Sequence, residues 1–304
     1  MNPIQAHIAK TSGTAALLGL MTAMPAAASP VIFEVGGTSS PSSIQTTVSN
    51  FQAALGGINN GNNPGPLPTG QRQINWDGGG GVNANTVSPT PFNGFQNIRG
   101  ALFTAPGTGF IQAPPSGGPQ NGLAGQFNNA TYGTIFSIFS PVRDFTPIGS
   151  TVTNTTFSIP GTMGGTPAEV DGFGAVFSNV ELANSAKMDF FDPNGKLLTE
   201  QFVPTGTGAA SLSFLGVFFN AGEEIGSMTI TSGTNPLASG TNDNPAGGVN
   251  LVVMDDFIYG EPQALAVAAP EPASLSLLGA SLAGMGAFGW RRRRRNQTLA
   301  RTLT

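Results

Sequence analysis

The chain has 304 residues, 39% apolar and only 9% charged, with 43 Gly, 24 Pro and no Cys. This balance excludes a disordered polyelectrolyte and points to short strands with many turns, while the missing Cys excludes disulfides, thiolate metal sites and Cys nucleophiles. The formal charge of −4 hides an asymmetry: between positions 29 and 272 only Arg72, Arg99, Arg143, Lys187 and Lys196 oppose all 16 acidic residues, a net of −11 that argues against nucleic acid as a partner.

Residues 1–28 read as a signal peptide. Lys10 precedes the apolar run Ala15-Ala16-Leu17-Leu18-Gly19-Leu20-Met21, and Ala26-Ala27-Ala28 has the small-x-small form of a cleavage site, with Ala26 and Ala28 as its small residues. The run has no polar face, which disfavours a short amphipathic helix.

From 29 to 133 the wording is loop-rich. Gly56-Gly57, Asn59 to Pro66 and Gly78 to Gly81 are turn or linker segments. Short strands are expected at Val31 to Val35, Gln71 to Trp76 and Asn97 to Thr104, with a weak helix at Ile44 to Leu55. So long a loop-rich stretch is unusual in a compact domain, so parts should be mobile or packed as long loops.

Residues 134–261 read as the core of an antiparallel β-sandwich, to which the preceding region adds strands. Strands are expected at Ile135 to Phe139, Thr155 to Ile159, Gly172 to Phe177, Ala186 to Phe191, Lys196 to Val203, Ser211 to Phe219, Ile225 to Thr231 and Leu251 to Tyr259, with turns between them. Asp192-Pro193-Asn194-Gly195 is a hairpin turn, because Pro presets its first dihedral and Gly accepts the left-handed position. The continuous apolar run Leu212 to Phe219 predicts burial on both faces.

The last segment, 262–304, reads as an anchor and sorting signal. Pro270-Glu271-Pro272 precedes Ala273 to Trp290, 18 residues without a charge. As a helix this stretch spans roughly 27 Å, enough for a bilayer core. Arg291, Arg292, Arg293, Arg294 and Arg295 follow and hold that end in the cytoplasm as a stop-transfer block, leaving the body on the other side. A cleavable N-terminal signal demands the same orientation.

This order of Pro-Glu-Pro, apolar helix and Arg cluster resembles the tripartite signal of the PEP-CTERM family. The resemblance implies recognition of Pro270, Glu271 and Pro272 by an exosortase, a membrane transpeptidase-like enzyme. It further implies passage through the inner membrane to the surface of a Gram-negative cell that makes extracellular polysaccharide. The wording Val170-Asp171-Gly172-Phe173-Gly174-Ala175-Val176-Phe177, Phe190 to Gly195, Phe214 to Val217 and Val253 to Phe257 is similar to the jelly-roll body common among exported proteins of this sorting class. That likeness implies a β-sandwich and no defined activity.

Little in the body points to catalysis. The one His is His7, inside the signal segment, so Ser-His-Asp and Cys-His chemistry and the usual zinc and haem ligands are missing from the mature body. Carboxylate pairs drawn from Glu169, Asp171, Glu181, Glu223, Glu224, Asp255 and Asp256 are the residual route to glycoside hydrolysis, though no spacing fixes two of them. Calcium is the cofactor to consider, with Asp171, Asp255 and Asp256 as ligands. Adjacent strand residues face opposite ways, so one of Asp255 and Asp256 should point inward and need a cation, an Arg such as Arg143, or a backbone partner. Trp76, with Phe92 and Phe95 nearby, is either a platform for a sugar ring or a core residue, and the core reading is favoured. The expected role is a non-catalytic surface or matrix protein, with a carbohydrate-binding module for extracellular polysaccharide as the alternative and a carboxylate-only glycosidase behind it.

Overall fold

The computed structural model describes residues 30–78 and 83–265. The signal segment 1–28, the sorting motif 270–272, the apolar stretch 273–290 and the Arg block 291–295 lie outside the described residues. Among the described residues no helix is long and apolar enough to cross a membrane.

In chain order the first half comprises β1 (Val31–Gly36), α1 (Gln45–Ala54), β2 (Gln71–Ile74), β3 (Thr86–Pro89), α2 (Gln96–Arg99), β4 (Ala101–Thr104), β5 (Gly109–Ala113), α3 (Gly122–Gln126) and α4 (Tyr132–Ile135). The second half is almost all strand: β6 (Asp144–Ile148), β7 (Val152–Ser158), β8 (Pro167–Glu169), β9 (Gly172–Ser178), β10 (Lys187–Phe191), β11 (Leu197–Phe202), β12 (Leu212–Phe218), β13 (Ser227–Thr231), β14 (Val253–Gly260) and β15 (Gln263–Ala264). They form two antiparallel sheets. One runs β1-β12-β9-β14-β6-β5-β3, with β2 also on β14; the other runs β11-β10-β13-β7-β8-β15, with β4 on β7. Strands from both sides of residue 134 therefore share both sheets.

The inner faces enclose one apolar core. Phe145, Phe173, Phe177 and Met254 from the first sheet meet Phe103, Phe157, Met188, Phe190 and Ile230 from the second. The first sheet is also covered outside, so β9, β12 and β14 are buried almost along their length and read as unbroken apolar runs. In contrast β10 and β13 alternate between buried and partly exposed residues, as expected of a sheet wet on one face.

Helix α1 supplies part of that outer cover. Ile44, Val48, Phe51 and Leu55 recur at helical spacing and pack on Val176, Leu212, Phe214 and Ile258. Ten residues without a side-chain cap would not hold alone in water, so packing keeps this helix formed. The sheet makes room for it: Gly174 and Gly216 face each other across β9 and β12, and a Cβ on either would come within 2.8 Å of the Phe51 ring.

Several expectations change. Ile135 to Phe139 is not a strand: Ile135 closes α4 with its amide on Thr131 O, while Ser137 N donates to Ser178 Oγ and Phe139 N to Asp255 Oδ2. Asn97 to Thr104 divides into α2 and β4 at Gly100, whose left-handed φ of 80° ends the helix. The strands β3, β5 and β6 were not expected; β5 and β6 pair with each other in the sheet bearing β3. The Asp192–Gly195 turn does join β10 to β11, with Gly195 at φ 81° and Asp192 Oδ1 accepting from Asn194 N and Lys196 N.

Candidate functional site

Four aspartates gather on the outer face of the first sheet, under the irregular segment that follows α4. Strand β14 bulges here: Asp255 pairs with Val176 and Phe257 with Ala175, so Asp256 is the extra residue. The bulge defeats the alternation expected for the pair. Both side chains are buried and both reach Ser140, whose Oγ lies 3.1 Å from Asp255 Oδ1 and 2.7 Å from Asp256 Oδ1. Asp77, delivered from the end of β2, approaches the same hydroxyl at 3.3 Å and accepts from the amides of Val142 and Arg143. Asp255 also accepts from Phe139 N at 2.7 Å and Ser140 N at 3.0 Å, and Asp256 from Gln73 Nε2.

Asp144 completes the group from the start of β6. It is fully buried, and neither of its carboxyl oxygens has a hydrogen-bond partner. Burial pushes its carboxyl well above the ordinary range, and the charge of Asp77 adds to that. Asp255 moves the same way through burial, then through Asp256 and Asp144. Arg143, one of the partners considered for Asp255 or Asp256, makes no ion pair with either. Its guanidinium donates instead to Gly78 O, Ala84 O and the Thr86 hydroxyl, and only Asp77 feels its charge.

Asp171 lies elsewhere, so Asp171, Asp255 and Asp256 do not form one calcium site. Asp171 lines a cavity of about 290 Å³ together with Glu224 and Glu261. Its Oδ1 lies where a Cβ on Gly260 would stand, so this close approach requires glycine there. Burial raises the Asp171 carboxyl to about 6. Burial, then the charges of Asp171 and Glu169, raise Glu224 to about 7. Glu261 is held apart from them by a two-pronged ion pair with Arg72, at 2.6 and 2.7 Å. Of the other glycosidase candidates, Glu169 lies near enough to act on Glu224 by its charge, Glu181 sits beside Asp243, and Asp255 and Asp256 belong to the aspartate group.

The raised carboxyls of Asp171 and Glu224 make stability depend on pH. Between the ordinary carboxylate range and about pH 7 the folded chain keeps protons that the unfolded chain has released, so stability falls as pH rises through that window. Water screens half-buried Glu224, which limits the effect. The thermal midpoint should drop by roughly 3–6 °C more between pH 5 and pH 8 in the wild type than in an Asp171→Asn/Glu224→Gln variant. Parallel pH profiles for the two proteins would refute this assignment.

Trp76 is not open to a ligand. It is fully buried, stacks on Phe145 at 3.7 Å, and meets Phe95 and Phe257 edge-on. Asp77 and Asp144 were missed as site residues. The one local signal for Asp144 is an acid set directly before the apolar Phe145 at the start of β6.

A model of the PEP-CTERM protein-sorting motif matches residues 268–294. It spans the Pro-Glu-Pro sequence, the uncharged stretch and the first four arginines. The motif implies an exported protein that passes through the membrane and is processed by an exosortase. No curated protein and no solved structure matched the chain.

Proposed function

We propose that the chain is a non-catalytic component of the cell surface or polysaccharide matrix, delivered by exosortase processing near Pro270. The sorting-motif match over residues 268–294 carries this reading. The N-terminal segment 1–28 directs export, the stretch 273–290 holds the intermediate in the inner membrane, and Arg291 to Arg295 stop transfer. The body that is delivered is a jelly-roll-like sandwich. Its lack of Cys, and of His beyond His7, supports a structural rather than a catalytic role.

The carbohydrate-binding alternative loses its aromatic platform with the burial of Trp76, and any polysaccharide contact falls to another surface. The sorting reading predicts that wild-type protein recovered outside the inner membrane lacks both end segments by intact mass. A Pro270→Ala/Glu271→Ala/Pro272→Ala variant should instead accumulate in the membrane with its C-terminus intact. Equal processing of the variant, or a full-length soluble product in the cytosol, would overturn the reading.

A further inference from the structure

We propose that Asp77, Asp144, Asp255 and Asp256 bind one hard divalent cation, calcium, at the Ser140 hydroxyl. The first argument is the arrangement of acceptors. Ser140 Oγ has Asp256 Oδ1, Asp255 Oδ1, Asp77 Oδ2 and Asn75 O around it at 2.7, 3.1, 3.3 and 3.4 Å. A hydroxyl carries one proton and satisfies one acceptor at a time. Two of the four have a second donor, Asp255 Oδ1 from Asp256 N at 2.8 Å and Asp77 Oδ2 from Asn75 Nδ2 at 2.9 Å, yet three carboxylates still converge on one hydroxyl, an oxygen-rich point that suits a cation.

The second argument is Asp144. A fully buried carboxyl with two unpartnered oxygens costs several kcal/mol if charged. The antiparallel pairing of Met254 with Phe145 sets Asp144 opposite Asp255, and the charge of Asp77 also bears on its carboxyl. Arg143 directs its guanidinium to Gly78 O, Ala84 O and the Thr86 hydroxyl, and no salt bridge among the described residues involves any of the four aspartates. A divalent ion offsets this charge and gives Asp144 the partner it lacks.

Calcium suits the site better than magnesium. It accepts six to eight oxygens in irregular geometry at about 2.3–2.6 Å, whereas magnesium retains waters and demands an octahedron. Among the described residues no three His, Cys, Asp or Glu side chains are placed, as they stand, to hold a metal ion. The carboxylates must therefore close in on the ion, which couples binding to docking of the segment that carries Ser140. The site does not depend on the sorting reading or on the Asp171 cavity.

The test uses the full chain in detergent, stripped with EDTA and then titrated with calcium, magnesium or terbium. Calcium at millimolar concentration should raise the thermal midpoint by roughly 5 °C or more, and magnesium by much less. Terbium should show luminescence excited through the neighbouring Trp76, and calcium should displace it. Asp144→Asn and Asp256→Asn should each weaken terbium and calcium binding about tenfold or more. Glu224→Gln, outside the site, should leave binding unchanged. Two results would overturn the proposal: wild-type protein with neither a calcium-dependent midpoint nor sensitised terbium emission, or Asp144→Asn and Asp256→Asn proteins that bind as wild type does. The first would mean that the buried acids keep their protons instead.

Discussion

Replacing Trp76 with alanine should cost about 3–5 kcal/mol of folding stability, read as a lower urea midpoint at unchanged slope. The indole is fully buried between Phe145, Phe95, Phe103 and Phe257, at centroid distances from 3.7 to 5.6 Å. These rings come from both sheets, so the cavity would open at the join of the sandwich. The backbone at Trp76 also has φ 59°, a conformation that costs a bulky residue on the order of 1 kcal/mol and that alanine would not relieve. Phenylalanine should be milder, losing under about 2 kcal/mol. It keeps an aromatic ring and removes Nε1, a buried donor with no partner. A Trp76→Ala loss below about 1 kcal/mol would mean the ring is not the keystone of this core.

Breaking the Arg72–Glu261 pair is the second large effect, again about 3–5 kcal/mol for Glu261→Ala. Both side chains are buried, and the pair organises a loop that has little apolar content of its own. Arg72 also donates to Gly61 O and Asn63 O at 2.8 Å each, while Glu261 accepts from Asn60 Nδ2 at 2.8 Å and Leu67 N at 3.1 Å. Removing Glu261 leaves a desolvated guanidinium and frees the 60–67 segment together. An Arg72→Met/Glu261→Met double variant should lose clearly less than the sum of the two single changes, because no charge is left stranded. Protease cutting between residues 56 and 70 should rise in Glu261→Ala. Strictly additive losses with no new cutting would show that the pair does not hold the loop.

The loop-rich look of residues 38 to 126 illustrates what local wording conceals. Its Gly, Asn and Pro segments predict turns, and turns are present; the polar anchors that pack them come from residues almost 200 positions away. Strand β5 is five residues and fully buried, too short for a period to declare itself. Strand β6 contains both Asp144 and Pro147, which argue against a central strand when read alone. By contrast β9, β12 and β14 were legible because burial on both faces leaves a long apolar run, and the β10–β11 hairpin was legible because its turn chemistry is local.

The same division holds at the candidate site. Asp255 and Asp256 stood out as charges inside an apolar strand, and their need for a partner followed from desolvation alone. That both face one hydroxyl required the bulge in β14, which depends on the register against β9. That Asp77 and Asp144 join them, that Arg143 turns away and that Asp171 does not belong required the packing of the 137–143 segment over the sheet. Sequence by itself determined the sorting signal, the antiparallel β class and the lack of Cys and of any His beyond His7, because these rest on contiguous residues or on composition. Only the tertiary structure decided which acids meet and which aromatic ring is sealed in the core. Those outcomes depend on contacts between distant strands, whose register no local pattern encodes.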